Sequence, residues 1–395
     1  MKHCHGKVGN SAVRVTELRK ATKRFEDMIG NCCEYAEKAK AKGRPIVGIM
    51  CEYTPRELIM AAGGVPVCLC GGSVEMIPPA ESHLPGNLCP LIKSTYGYMV
   101  AHENPFLEIA DLVVAETTCD GKKKMFELMG DAVPMHVLEL PQKPDEKTAL
   151  TQWICELRKL RRTLENRFHT RITDDKLRRA ITVMNRERRL RREIAQCMKL
   201  DNPPITGRQL LELKSIISGI PDDLKSYAAV ARELKGKAGR LKSKVRVLLT
   251  GVPIVHGVEW VVDLIEDHGG LVVAMENCSS LKPIIEDVEL NHGDPLTALA
   301  RKYLHLPCSV MTRNQRRFDL IRKLVKEYRP VCVVEVIWRA CLTYSVESFY
   351  VKNLVQNDLH LPYLQIESDY SQSDSERIVV RLEALFESVR GQQSG

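Results

Sequence analysis

Long apolar runs are absent from this sequence of 395 residues, and no stretch approaches the roughly 18 apolar residues that a membrane-spanning helix needs. The first twenty residues also lack the apolar core and small-residue cleavage site of a secretory signal. The length is sufficient for a large core and suggests two or three domains. We therefore expect a protein without a membrane partner, with the cytoplasm as its location.

Motifs for nucleic acids and nucleotides are missing as well. The formal net charge is +8, but much of it lies in helical stretches where arginine and glutamate intersperse, which is typical of solvated helix faces. The P-loop pattern G-x-x-x-x-G-K-[ST] does not occur. We therefore expect no nucleic-acid partner, and no ATP bound to this chain.

Local metal-binding motifs are absent although cysteine is abundant. The chain has 14 cysteines, an unusually large number for a cytosolic protein, yet no C-x-x-C pair of a zinc ribbon or a ferredoxin. Disulfides are disfavoured in the cytoplasm, so such abundance indicates metal binding or catalysis. A site made of these cysteines would have to be assembled from distant parts of the chain.

Alternating strand and helix patterns predict the fold. Residues 1–145 begin with a long helix and then alternate, residues 146–240 have helical periodicity throughout, and residues 241–395 alternate again. Strands rich in valine, isoleucine and leucine between helices indicate parallel sheets covered on both faces. The prediction is an α/β protein with two doubly wound lobes of the Rossmann or flavodoxin type, joined by a helical segment. Such folds bind ligands at strand ends and in clefts.

Several cysteines occupy strand exits or loops before helices. These are Cys51, Cys89, Cys119, Cys278, Cys308 and Cys341. The ends of parallel strands share one edge of a sheet, and helix N-termini there favour the thiolate. Cys68 and Cys332 in apolar strands, and Cys155 and Cys197 in helices, are interpreted as buried small apolar side chains. Cys70 is ambiguous between the two groups.

Three lysines, Lys122 to Lys124, follow Cys119 at a predicted helix start. A helix N-terminus is electropositive and favours acidic side chains, so lysines there indicate something strongly negative in front of the helix. They would then offset that charge or attract an acidic protein surface. The other interpretation, three solvated lysines, stays open because side chains of a first turn point in several directions.

A family resemblance rests on seven blocks of the sequence taken in order. They are "CEYTPRELIMAAGGVPVCLCGG", "NLCPLIKSTYGYM", "DLVVAETTCDGKKKMFELM", "MENCSSLKPIIEDV", "YLHLPCSVMTRNQRR", "RACLTYSVESFYVKN" and "PYLQIESDYSQSDSERIVVRLEALFE". Over nearly the whole chain they resemble the 2-hydroxyacyl-CoA dehydratase and benzoyl-CoA reductase superfamily, and within it the double-cubane cluster protein group. The blocks in this order are specific, whereas any single one would be weak.

The resemblance implies an iron–sulfur centre. In dehydratase subunits three cysteines hold one [4Fe–4S] cluster, and the matching residues are Cys89, Cys119 and Cys341. Double-cubane proteins use six cysteines for an [8Fe–9S]-type cluster, and the additional matches are Cys51, Cys278 and Cys308. These are the same six cysteines that the strand exits single out.

The resemblance also implies a function. A separate ATP-hydrolysing iron–sulfur reductase would supply low-potential electrons, and this chain, as a homodimer in an anaerobic organism, would reduce small molecules such as acetylene, azide or hydrazine. His256, Glu259, Tyr344 and Tyr96 lie near the motif blocks and are candidate proton donors.

Two other functions stay open. One is an (R)-2-hydroxyacyl-CoA dehydratase-type subunit, a lyase component that binds a CoA thioester and a single [4Fe–4S] cluster. That function would leave Cys51, Cys278 and Cys308 without a role. The other is a non-catalytic iron–sulfur protein for cluster assembly or electron transfer.

Overall fold

The computed structural model describes residues 9–239, 241, 244–290 and 293–394. It contains two four-stranded sheets in which all neighbouring strands are parallel. The predicted α/β fold with two doubly wound lobes is therefore confirmed, whereas the domain limits stay a prediction. In the part of the chain that the structure describes, no helix is both long and apolar enough to cross a membrane.

The first sheet has the strand order β2-β1-β3-β4. Its strands are β1 Ile46–Ile49, β2 Val65–Cys68, β3 Leu112–Glu116 and β4 Met135–Leu138. The helices of this lobe are α1 Gly9–Glu26, α2 Met28–Ala41, α3 Arg56–Ala61, α4 Ile77–Glu81, α5 Pro90–Val100, α6 Pro105–Glu108 and α7 Asp120–Gly130. Strands β1 and β3 are buried throughout because helices cover both faces of the sheet.

Four helices link the lobes: α8 Ala149–Arg167, α9 Asp174–Ala195, α10 Gly207–Glu212 and α11 Pro221–Leu234. Helices α8 and α9 bury one apolar stripe each, which includes Trp153 and Leu157 on α8 and Leu177 and Ile181 on α9. These side chains join one apolar core with residues of both lobes. The linking helices therefore fix the position of the lobes by packing against each of them.

The second sheet repeats the topology of the first, with the order β6-β5-β7-β8. Its strands are β5 Val245–Gly251, β6 Gly270–Glu276, β7 Cys332–Trp338 and β8 Tyr363–Ser368. The helices of this lobe are α12 Trp260–Asp267, α13 Pro295–Leu304, α14 Gln315–Tyr328, α15 Leu342–Asn353 and α16 Ser375–Ser394. Both orders are of the flavodoxin type, whose ligands bind where the direction of strand order reverses.

The lobes touch through the loops after β2 and β5. A Cβ atom on Gly72 would lie 2.0 Å from the carbonyl oxygen of His256, and Gly257 has a φ of 100°. Only glycine permits this approach and this backbone conformation without strain. The C-terminal edges of the two sheets therefore face a common cleft.

Candidate functional site

The six predicted cysteines are all free thiols, and five of them follow strands or directly precede helices. Cys308 lies instead in the loop between α13 and α14, without a strand before it. Cys51 and Cys278 each lie two residues beyond a strand, β1 and β6. Cys89, Cys119 and Cys341 are the residues immediately before helices α5, α7 and α15. Free N–H groups at a helix start attract negative charge, so these three positions favour a thiolate.

Cys51, Cys278 and Cys308, which we call the first triad, come together from both lobes. Burial raises the pKa of the Cys51 thiol well above its usual range, and the negative charges of Cys278 and Cys308 raise it further. Burial likewise raises the pKa of Cys278 to about 12, again with Cys308 as a neighbour. The hydroxyl of Tyr53 donates to the carbonyl of Leu306 at 3.0 Å, which joins the Cys51 loop to the Cys308 loop.

Cys89, Cys119 and Cys341 form a second triad. The thiol of Cys341 hydrogen-bonds to Cys89, which lowers the pKa of Cys89 and raises that of Cys341. Burial raises the pKa of Cys119, and the neighbouring Cys341 and Cys308 act in the same direction. Through Cys119 and Cys308 the two triads adjoin, so the six cysteines form one continuous group in the cleft.

Free thiols are donors that suit soft metal centres, among them iron–sulfur clusters. Within the described ranges, no three histidine, cysteine, aspartate or glutamate side chains are arranged to hold one ion. A [4Fe–4S] cluster binds each cysteine at a different iron atom, so its ligands stand farther apart than those of one ion. Two adjoining sets of three free thiols, of which Cys89 is buried and the other five are half-buried, would suit two such clusters.

Only one of the three consecutive lysines faces this group. Lys122 donates to the carbonyl of Met50 at 2.9 Å. Burial opposes its charge, but the thiols of Cys51, Cys70 and Cys119 raise the pKa of Lys122 above its usual value. Lys123 and Lys124 are exposed and pair with Asp120 and Glu127 on their own helix. Lys122 therefore fits the interpretation in which a lysine offsets negative charge, whereas Lys123 and Lys124 fit the interpretation of solvated lysines.

A buried ion-pair network lies beneath the cysteines of the second lobe. Arg317 is fully buried and contacts Glu276 and Glu335 at 3.1 Å each, and Glu347. Glu347 also accepts from the side-chain amide of Asn314, which donates a second hydrogen bond to the carbonyl of Cys308 at 2.8 Å. Because Glu276 precedes Cys278 and Glu347 follows Cys341, one guanidinium joins three cysteine loops.

Lys282 adds a second buried cation beside the first triad. Its ammonium lies 2.7 Å from Glu276 and donates to the hydroxyl of Tyr344 at 3.3 Å. Burial opposes the charge of Lys282, but Glu276 and then Cys278 raise its pKa. Burial raises the pKa of Tyr344 well above its usual range, and Cys308 and Cys278 are its nearest negative neighbours.

The first lobe has a different arrangement beneath its cysteines. Glu116, the last residue of β3, is fully buried and accepts a hydrogen bond from the hydroxyl of Thr54. It has no ion-pair partner among the described residues, and burial raises its pKa to about 8. Glu116 is therefore largely protonated at neutral pH.

A cavity of about 500 Å³ opens beside the first triad, between the two lobes and the linking helices. Cys51, Cys70 and Cys278 line one end of it, together with Lys122. Helix α9 and the segment after α10 supply another wall, with Arg191 and Lys214. Its volume lies in the range of small-molecule sites.

The predicted proton donors occupy different places. His256 lines the cavity, is 57% exposed, and lies 3.2 Å from Glu259 through Nδ1. Burial of Glu259 opposes its charge, but the contact with His256 lowers its pKa to about 2, so its carboxylate carries no proton at neutral pH. Tyr344 is buried next to the first triad, and Tyr96 hydrogen-bonds to His83 at 2.9 Å. Their roles in proton transfer stay a prediction.

Other cavity residues were not predicted from the sequence. Cys68 is half-buried and lines the cavity with Cys70, and a hydrogen bond from Cys70 lowers the pKa of Cys68 to about 6. Cys155, expected to be buried, is exposed, whereas Cys197 and Cys332 are buried as expected. The signal for Cys70 was its spacing, because it follows β2 by two residues, as Cys278 follows β6.

Comparison with known proteins identifies similar chains. The family model described as "2-hydroxyglutaryl-CoA dehydratase, D-component" matches residues 51–389. The chain is 40% identical over 354 residues, 88% of this chain and 92% of the relative, to "Putative dehydratase subunit YjiM" of Escherichia coli (strain K12).

More distant relatives carry names of defined reactions. The chain is 21% identical to the (R)-phenyllactyl-CoA dehydratase beta subunit of Clostridium sporogenes over 374 residues, which cover 92% of this chain and 97% of the relative. It is 23% identical to a benzoyl-CoA reductase subunit from Thauera aromatica over 308 residues, which cover 75% of this chain and 78% of the relative. These relatives are named as subunits of dehydratases or of a reductase.

Proposed function

Because the chain belongs to the 2-hydroxyglutaryl-CoA dehydratase D-component family, within the superfamily of 2-hydroxyacyl-CoA dehydratase and benzoyl-CoA reductase subunits, we propose that it is the cluster-carrying component of an iron–sulfur reductase. The proposed cofactor is a double-cubane [8Fe–9S]-type cluster in the cleft between the lobes. The observation that carries this proposal is the pair of adjoining triads, six free thiols from both lobes. A single cubane would use only one of them.

The bound cluster would store low-potential electrons and transfer them to a small molecule such as acetylene, azide or hydrazine. The residues of this chain would hold and tune it. The N–H groups at the starts of α7 and α15 would act against the burial that raises the pKa of Cys119 and against the contact with Cys89 that raises the pKa of Cys341. Lys122 and Lys282 would offset negative charge from opposite sides of the first triad.

The cavity would bring the substrate to the end lined by Cys51 and Cys278. His256 and Tyr344 are the proposed proton donors, because His256 lines the cavity and Tyr344 is buried beside the first triad. Glu259 would act as the carboxylate that orients the His256 imidazole, since its lowered pKa removes it as an acid.

Protein partners are part of the proposal. An ATP-hydrolysing iron–sulfur reductase would deliver electrons to this chain. ATP would bind to that partner, because this chain has no P-loop. The chain itself would form a homodimer. Helix α15, which begins directly after Cys341, has an exposed apolar face that supports a protein contact. Its side chains are Leu342, Val346, Phe349 and Tyr350, each at least 58% exposed.

Iron and acid-labile sulfide analysis after anaerobic purification tests the cofactor. We expect about eight irons per chain for two cubanes, and about four for one. Fewer than about five would contradict the double-cubane proposal. Acetylene reduction that depends on ATP and on the reductase partner tests the activity. If acetylene, azide and hydrazine were all left unreduced, the result would indicate a non-catalytic protein. Sedimentation of the holoprotein tests the homodimer.

The names of the relatives favour a second candidate, a dehydratase-type subunit with one [4Fe–4S] cluster that binds a CoA thioester. Such a subunit would hold its cluster with the second triad alone. About four irons per chain, together with dehydration of a 2-hydroxyacyl-CoA, would support this candidate.

A further inference from the structure

The cavity wall contributed by α9 and the segment after α10 contains two cations, Arg191 and Lys214, and Lys214 lies 3.9 Å from the carboxylate of Glu259. Arg191 points from α9 to the cavity and has no hydrogen-bond or ion-pair partner in the part of the chain that the structure describes. Glu187, one turn earlier, accepts a hydrogen bond from the Gly219 amide at 2.7 Å, and burial raises its pKa above the usual carboxyl value. Arg191 acts on Glu187 in the opposite direction, since its positive charge lowers the pKa of that carboxyl.

Lys214 lies next to Arg191 on the same wall. Its ammonium is 3.3 Å from the carbonyl of Ile254 and 3.9 Å from Glu259. Glu259 already accepts hydrogen bonds from His256 and from the Gly257 amide at 2.7 Å. Burial lowers the pKa of Lys214 to about 8, and Arg191 acts in the same direction. Two adjacent cations, one of them deprived of solvent, repel each other unless an anion lies between them.

Most other charged side chains of the lining are already engaged in ion pairs or hydrogen bonds, and Glu103 lines the cavity as an exposed carboxylate. Arg56 and Glu52 form a bidentate pair, and Arg188 is paired with Glu57. Lys302 also lines the cavity, where its ammonium donates to a backbone carbonyl at 3.1 Å. The lining therefore holds more basic than acidic side chains, although burial lowers the pKa of Lys302 to about 7.

We propose that Arg191 and Lys214 bind the anionic group of a small-molecule substrate, a carboxylate or a phosphate, whose remainder extends toward Cys51 and Cys278. Ser279 supports this direction, because it follows Cys278 and lines the cavity together with both cations. This inference rests on the proposed function and goes beyond it, because acetylene, azide and hydrazine carry neither a carboxylate nor a phosphate, and it names the substrate class as a small molecule with an oxyanion. A guanidinium and an ammonium together suit an oxyanion, since the guanidinium donates two parallel hydrogen bonds and the ammonium adds a point charge.

Anaerobic titration calorimetry with propionate, inorganic phosphate and propionamide tests the proposal on the purified protein. Propionamide has the shape of propionate without its charge. We expect propionate or phosphate to bind, and propionamide to bind at least about tenfold more weakly. Which of the two anions binds more tightly identifies the substrate group as carboxylate or phosphate. Failure of both anions to bind, or equal binding of propionate and propionamide, would overturn the proposal.

Variants locate the site. Arg191→Gln and Lys214→Gln should each weaken anion binding about tenfold or more, because each removes a charged donor. Arg189→Gln is the matched control, since Arg189 lies two residues away on the exposed face of α9. Unchanged binding in both cavity variants would refute the assignment. Iron content and the visible absorption spectrum should be the same in all three variants, which shows that they are folded and loaded.

The same experiments separate this inference from the proposed function. Anion binding with only about four irons per chain would leave the anion site intact and reject the double cubane. About eight irons per chain with acetylene reduction, but without anion binding, would support the double cubane and reject the anion site.

Discussion

Each lobe brings cysteines to the C-terminal edge of a sheet with the same strand order, yet the two lobes balance charge beneath them in different ways. In the second lobe Arg317 and Lys282 hold Glu276 as a carboxylate, and both cations are permanently charged in this setting. In the first lobe Glu116 is buried without an ion pair and holds a proton at neutral pH. Equal topology therefore does not imply equal electrostatics, and Glu116 gives the first lobe a buried carboxyl group whose pKa is about 8.

Arg317→Met should have the largest effect, because it leaves three buried carboxylates without their guanidinium. Removing one partner of a buried ion pair costs about 3–5 kcal/mol. We expect a large fall in the urea midpoint of the metal-free protein, or no folded protein at all. Arg322→Met on the exposed side of α14 is the control, since exposed ion pairs contribute about 0–1 kcal/mol. Similar midpoints for the two variants would contradict the structural role of Arg317.

Cysteine variants compare the two triads directly. Cys278→Ser and Cys89→Ser should each lower the iron content from about eight to about four per chain, because each variant removes a ligand of one cubane. Cys332→Ser, in the buried strand β7, should leave the iron content unchanged. Loss of all iron in Cys89→Ser with none lost in Cys278→Ser would favour the single-cluster dehydratase.

Glu116→Gln should remove a pH dependence that belongs to the first lobe. The pKa of Glu116 is about 8 in the folded protein, above its usual value, so the folded state binds more protons between roughly pH 4.5 and 8. Stability from this group is thus present at low pH and is lost as the pH rises through 8. The variant should match the wild type at pH 5 and unfold at a higher temperature than the wild type at pH 9.

Glu276→Gln is the counterpart in the second lobe and should behave in the opposite way. Burial opposes the charge of Glu276, but Lys282 and Arg317 lower its pKa, so its ion pairs stabilise the fold above the unfolded pKa. The variant should be less stable than the wild type at neutral pH. Thermal unfolding of the metal-free protein measures the stability of both variants. If Glu116→Gln and Glu276→Gln changed the unfolding temperature in the same direction at pH 9, the comparison of the lobes would be wrong.

Lys122→Met should have the smallest effect, a change in the reduction potential of the bound cluster. Loss of a nearby positive charge disfavours the reduced form, and about 1 kcal/mol corresponds to roughly 40 mV for one electron. We expect a potential lower by roughly 30–60 mV in an anaerobic redox titration. Lys123→Met, in the next residue but exposed, should leave the potential unchanged. If both variants lowered the reduction potential equally, the shift would come from the overall surface charge and not from the position of Lys122.

The sequence predicted the sheets, and it predicted which cysteines follow their strands, because both depend on patterns along the chain, whereas the role of these cysteines as ligands stays a prediction. Strand ends of a parallel sheet meet at one edge, so Cys51, Cys119 and Cys341 could be assigned without knowing any side-chain position. The lysine run could not be divided in advance. Lys122 faces the thiols and Lys123 faces solvent because successive helix residues differ by about 100° in direction, and the helix orientation was unknown.

The cavity cations were not predictable from the sequence for a different reason. Arg191 lies in an arginine-rich helix whose sequence is typical of a solvated helix face. Its neighbours have other surroundings, because Arg189 is exposed and Arg192 pairs with Asp287. Only the packing of α9 against both lobes decides which arginine reaches the cleft. The mutual approach of Arg191 and Lys214, 23 positions apart in the sequence, depends on that packing too.

The contacts of Arg317 have a consequence for the order of folding and cofactor binding. Arg317 joins the loops of Cys278, Cys308 and Cys341 through side chains and backbone groups. Because the polypeptide itself makes each of these contacts, we expect the network to hold the three loops in place before any cofactor binds. The chain would then differ from small zinc domains, which fold only when the metal binds.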